Sequence, residues 1–84
     1  MQEDIKKIGV ITHFFDHINV AAIKLEDTLK VGDKILIKGY TTNFEQEITS
    51  MQIENKNIET AKAGDEIGLK VKNKVRINDE VYKV

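Results

Sequence analysis

The sequence predicts an all-β fold, a small six-stranded antiparallel closed β-barrel, on three observations. A turn of one chemical type occurs three times, as Val31-Gly32-Asp33-Lys34-Ile35, Ala63-Gly64-Asp65-Glu66-Ile67 and Ile77-Asn78-Asp79-Glu80-Val81, each time ahead of an apolar run. Gly and Asn tolerate positive φ, and Asp accepts backbone hydrogen bonds across a tight turn, so each motif reads as a turn that opens a strand. Ile67, Leu69 and Val71 alternate with Gly68, Lys70 and Lys72, the period of a half-buried strand. No proline interrupts the chain and no window sustains a 3.6-residue apolar stripe. Closing such a sheet would remove the exposed edges it otherwise presents.

The elements follow in order. Residues 6–15 carry Ile8, Val10, Ile11, Thr12, Phe14 and Phe15 and read as a strand, with a turn at Asp16-His17. Residues 18–25 form a second strand whose muddled parity suits a bent or doubly buried segment. The connection 26–32 places Leu29 and Val31 as plugs for the end of the core. A third strand, 34–38, stops at Gly39, and Tyr40-Thr41-Thr42-Asn43 leads to a long fourth strand, 44–54. Its alternation slips, and a bulge near Thr49-Ser50 would bring Ile48, Met51 and Ile53 to one face. Residues 55–62 form a polar loop in which 58–63 suit one short helical turn. The fifth strand runs from Ile67 through Val75 and Ile77, and residues 80–84 close the sheet.

Eighty-four residues make one domain, residues 1–84, with a modest core. Thirteen Lys+Arg against 14 Asp+Glu give a net charge of −1, which removes the overall basic signature of a nucleic-acid binder but leaves room for a local patch. Cysteine is absent, which excludes disulfides and thiolate chemistry and favours a cytoplasmic location. No apolar run approaches the roughly 20 residues of a membrane span. The acidic opening of residues 1–4 is unlike a signal peptide.

The run Val20-Ala21-Ala22-Ile23 followed by Thr28-Leu29-Lys30-Val31-Gly32-Asp33-Lys34-Ile35 resembles the start of domain 2 of translational GTPases. Ser50-Met51-Gln52 and Ala61-Lys62-Ala63-Gly64-Asp65-Glu66-Ile67-Gly68-Leu69 resemble the later turn and strand of that domain. The chain is similar to the second domains of elongation factor Tu and of bacterial initiation factors. It is also similar to small elongation-factor-like proteins and to the barrel appended to collagenase-like peptidases that act in RNA modification. The family's Gly before Thr-Leu-Lys is replaced by Asp27, so the hairpin is expected to be a residue shorter or to hold Asp27 in a left-handed conformation. The GTPase does not carry over. There is no G-x-x-x-x-G-K-S/T loop, and Asn55-Lys56-Asn57, which resembles the guanine-reading Asn-Lys-x-Asp, lacks its Asp, with Ile58 in that place. No GTP, cofactor or metal binding is expected.

Among candidate chemistries, His13-Phe14-Phe15-Asp16-His17 is the cluster richest in metal-ligand types. On an extended strand residues four apart lie ~13 Å apart, and a metal would need further ligands than His13, Asp16 and His17 offer. Glu26-Asp27, Asp65-Glu66 and Asp79-Glu80 fall in turns and read as solvated charges. Ser50, the lone serine, lacks a nucleophile elbow. No enzyme is expected. Lys70 and Lys72 alternate outward beside Leu69 and Val71, and Lys74 and Arg76 continue the parity, so the four suggest a phosphate-tracking ridge that Lys24, Lys34, Lys38 and Lys83 would extend. Tyr40 is the aromatic best placed to stack on a base. The expectation is a non-catalytic translation-factor-like module that binds RNA (tRNA or rRNA) or a protein of translation or RNA modification, with no membrane partner. The alternative is an accessory subunit or detached domain of a peptidase-like or RNA-modifying enzyme, supplying protein contacts alone.

Overall fold

The three turns are copies of one hydrogen-bonded device. In the computed structural model, which describes residues 5–84, Gly32, Gly64 and Asn78 have φ of +100°, +94° and +78°. The N–H of each following Asp donates back three residues: Asp33 to the Lys30 carbonyl at 3.1 Å, Asp65 to that of Lys62 at 3.0 Å, and Asp79 to that of Arg76 at 3.1 Å. Each Asp carboxylate accepts the N–H of the same basic residue, at 3.0, 3.0 and 2.9 Å. Lys30, Lys62 and Arg76 thus stand at equivalent positions.

Each turn also grips a distant core residue. Gly32 donates to the Ile48 carbonyl and Ile48 donates back to that of Asp33, both at 2.8 Å. Gly64 and Asp65 hold Leu25 in the same way, and Asn78 and Asp79 hold Ile11. Ile11, Leu25 and Ile48 are fully buried, so the clamps satisfy backbone groups that would otherwise be buried unpaired.

The described residues form ten strands: β1 (Lys6–Phe15), β2 (Val20–Leu25), β3 (Leu29–Lys30), β4 (Lys34–Lys38), β5 (Asn43–Glu47), β6 (Met51–Ile53), β7 (Lys56–Ile58), β8 (Thr60–Ala61), β9 (Glu66–Lys70) and β10 (Glu80–Lys83). Eight form one antiparallel sheet in the order β5-β4-β10-β1-β2-β9-β6-β7, and β3 pairs with β8. Irregularities at Lys7/Gly9 and Ile11/His13 bend β1, so Ile8 and Ile11 both face inward although their parity differs. The curled sheet surrounds a core that includes Ile23, Leu29, Ile35, Ile37, Leu69 and Val81.

The expected closed six-stranded barrel is corrected to an eight-stranded open half-barrel. All-β, antiparallel architecture stands, and no described residue is helical. The expected strand over 44–54 does not pass Glu47: Ile48 turns inward to its clamp, and β6 starts afresh at Met51 on the far side of the sheet. The missing closure is replaced by one side chain. Gln46 on β5 donates from Nε2 to the Lys70 carbonyl at 2.9 Å and accepts the Lys72 N–H at Oε1 at 3.0 Å, a pair of bonds that a backbone peptide would make in a ladder.

Other expectations also give way. Residues 58–63 hold parts of β7 and β8 in place of a helical turn. β9 ends at Lys70, and Ile77 is exposed although Val75 is buried. Leu29 plugs the core as expected, whereas Val31 is exposed. Asp27 is not left-handed. Its carboxylate instead accepts the Thr28 N–H at 2.7 Å and pairs with Lys6 at 2.6 Å, and the hydrogen bond from Lys6 leads the effects that hold its pKa below the usual carboxylate value. The acidic opening at residues 1–4 lies outside the described residues.

Candidate docking groove

The outer face of the sheet carries a groove of ≈ 470 Å³ over the β1-β2-β9-β6 side. Registry builds its floor. Ala22 lies opposite His13 on one side and Gly68 on the other, and Gly68 lies opposite Gln52. Ala22 and Gly68 are small, so the row dips between taller neighbours. One rim is the β1–β2 hairpin, where the rings of His13 and Phe15 stack at 6.1 Å and an 11° interplanar angle. Phe15 and Ile18 are 46% and 56% exposed, unusual for side chains of their size. The other rim is the β6–β7 hairpin, with Gln52, Glu54 and Asn55. Glu54 and Asn55 both have positive φ, +51° and +67°.

The groove lining carries carboxylates, and Lys24 stands directly across the β2–β9 pair from Glu66. Glu54 and Glu66 line the groove, and no Lys or Arg does. The Thr12 hydroxyl donates to the Glu66 carboxylate at 2.5 Å and lies 3.2 Å from the Ala22 carbonyl, fixing Glu66 over the floor. Neither Glu54 nor Glu66 forms an ion pair among the described residues.

The residues singled out from the sequence are dispersed. Lys70 and Lys72 flank a separate hollow with Gln46, Glu47, Thr49 and Ser50. Lys74 and Arg76 are exposed on the irregular connection to β10, so the ridge follows a loop where a strand was expected. Tyr40 is fully exposed in the turn after β4. His17 meets Asp16 at 3.2 Å while His13 stacks on Phe15, and no group of three or more His, Cys, Asp or Glu gathers at one point among the described residues. No helix among them is long and apolar enough to cross a membrane. The sequence pattern ranks Tyr40 ahead of Phe15 as a stacking aromatic and gives no sign of Gln52, Glu54 or Ile18 as binding residues. The available signal was Gly68, a glycine in the middle of the cleanest strand.

An all-β open half-barrel with a groove on its outer face is the class of domain that the strands and the site define. Comparison with known proteins sharpens that class. No protein-family model matches the chain. It is 44% identical over 77 residues to an uncharacterized protease of Methanocaldococcus jannaschii, a match covering 90% of this chain and 19% of that protein. It is 33% identical over 78 residues to a collagenase of Porphyromonas gingivalis, covering 90% of this chain and 22% of the collagenase. The chain therefore spans about a fifth of the length of these relatives. Among solved structures it superimposes on the C-terminal domain of a Geobacillus thermoleovorans protein assigned as a U32 peptidase, with a TM-score of 0.88 at 18% identity, covering 94% of this chain and 92% of that one. The selenomethionine form of that domain gives 0.85.

The resemblance to the barrel of collagenase-like peptidases is thus supported. The relatives are a protease and a collagenase rather than translation factors, which corrects the reading of the chain as a translation-factor-like or elongation-factor-like module.

Proposed function

We propose that this chain is a non-catalytic binding domain that works beside a peptidase unit, in the same polypeptide or another, and contributes protein–protein contacts. One observation carries the reading: 44% identity along 77 residues to a stretch that makes up only 19% of a protease. A segment of that size leaves ample chain for the chemistry elsewhere. The exposed Phe15 and Ile18 beside the groove fit a surface that another protein covers. The test is coexpression of the chain with the peptidase unit encoded with it, followed by size-exclusion chromatography and calorimetry, alongside gelatin and peptide-library cleavage assays of the chain alone. A stable complex and no cleavage by the chain alone are expected. Cleavage by the chain alone, or no association with the peptidase unit, would overturn the proposal.

A further inference from the structure

Two residues on the groove are poorly chosen for their own backbone. Gly68 sits mid-strand, where glycine weakens a sheet by roughly 0.5–1 kcal/mol relative to alanine. Its φ does not require glycine, and an added Cβ would meet only Val20 Cγ1 at 3.7 Å and the Gln52 carbonyl at 3.9 Å, ordinary contacts. Nothing among the described residues excludes a methyl group there. Glu54 takes φ of +51°, a left-handed conformation that Gly, Asn or Asp adopts with less strain. Local rules broken at two sites far apart in sequence, meeting on one groove, mark a surface shaped for something outside the domain.

The lining says what that is. The floor of Val20, Ala22 and Gly68 is apolar and shallow, which suits an aliphatic stem. The stacked His13 and Phe15 rings present flat π faces, and Glu54 and Glu66 supply two carboxylates with no lining Lys or Arg to neutralise them. An arginine side chain satisfies all three demands: its aliphatic stem packs on the floor, its guanidinium plane stacks on the rings and the guanidinium fork donates to carboxylates.

We infer that the groove seats an arginine-bearing extended segment of the peptidase unit, an inference that rests on the docking function proposed above. The probe is the blocked pentapeptide Ala-Leu-Arg-Leu-Ala, titrated into the isotopically labelled chain and followed by amide and ring NMR shifts. Versions with citrulline or glutamate in place of arginine are the controls. Shifts should centre on Val20, Ala22, Gly68 and the His13 and Phe15 rings. Citrulline should weaken binding at least about fivefold, the scale of one exposed charge pair with its hydrogen bonds, and salt should weaken it further. Gly68→Ala and Glu54→Asn should each lower affinity by a similar factor with the melting temperature unchanged or raised. Equal binding of the citrulline peptide, shifts centred elsewhere, or variants that bind like the parent would overturn the inference. A complex with the peptidase unit that survives Gly68→Ala and Glu54→Asn would sink the groove assignment while leaving the docking function standing, whereas loss of that complex only in these variants supports both.

Discussion

The turn at Gly64 and the turn at Glu54-Asn55 both carry the chain through positive φ, and they do so with opposite choices of residue. At Gly64, as at Gly32 and Asn78, the residue in the left-handed position is one that adopts it readily, the next residue is an Asp whose carboxylate closes the loop, and a buried strand residue completes the hydrogen bonding. At Glu54 a bulky acidic residue occupies such a position in the two-residue turn of the β6–β7 hairpin, closed by the Ile53–Lys56 strand pair rather than by an Asp carboxylate. The first region is what a backbone needs in order to fold. The second is tolerated, and the residue tolerated there faces the groove.

Substitutions can break or sharpen this contrast, and the core they both enclose sets the scale. Leu69→Ala removes a fully buried side chain from β9 and should cost about 2–4 kcal/mol in urea or thermal unfolding. Gly39→Ala should follow at about 1–3 kcal/mol, because the new Cβ would fall 1.9 Å from the Asp79 carboxylate that closes the third turn. Gly64→Val should cost about 1–2 kcal/mol although nothing lies within 4 Å of the site, since the penalty is backbone strain alone. Glu54→Asn should instead stabilise by roughly 0.5–1 kcal/mol. If Glu54→Asn destabilised the protein, or Gly64→Val left it unchanged, the two regions would not differ as described.

The parts of the fold written in local chemistry were legible in the sequence. Gly32, Gly64 and Asn78 announce their turns because few residues accept that conformation, and the strict alternation around Leu69 announces β9. In the sequence the parity of Phe44, Gln46 and Ile48 gives way to that of Thr49, Met51 and Ile53, which suits a bulge near Thr49-Ser50; what ends the strand is the backbone clamp from Gly32 and Asp33, invisible without the third dimension. Closure failed as an expectation for a similar reason. Whether β5 reaches the end of β9 depends on curvature accumulated over the whole sheet, and the Gln46 amide that spans the seam looks like any surface glutamine in the sequence. The groove depends on Ala22 and Gly68 standing side by side, a registry that only pairing between β2 and β9 creates. Lys70, Lys72, Lys74 and Arg76 form a regular pattern in the linear sequence, yet Lys74 and Arg76 ride on a loop.

The three clamps have a consequence for the order in which the chain assembles. They are chemically alike but join very different stretches: Gly32 to Ile48 across a short loop, Gly64 to Leu25 across a longer one, and Asn78 to Ile11 across most of the chain. Closing a longer loop costs more entropy before any contact repays it, and non-local pairings tend to form late. The Gly32 amide is therefore expected to gain protection first during refolding, Gly64 next and Asn78 last, an order that pulse-labelled hydrogen exchange at those three amides would read directly. Simultaneous protection would mean instead that the half-barrel condenses in one step, with the seam at Gln46 forming as early as any turn.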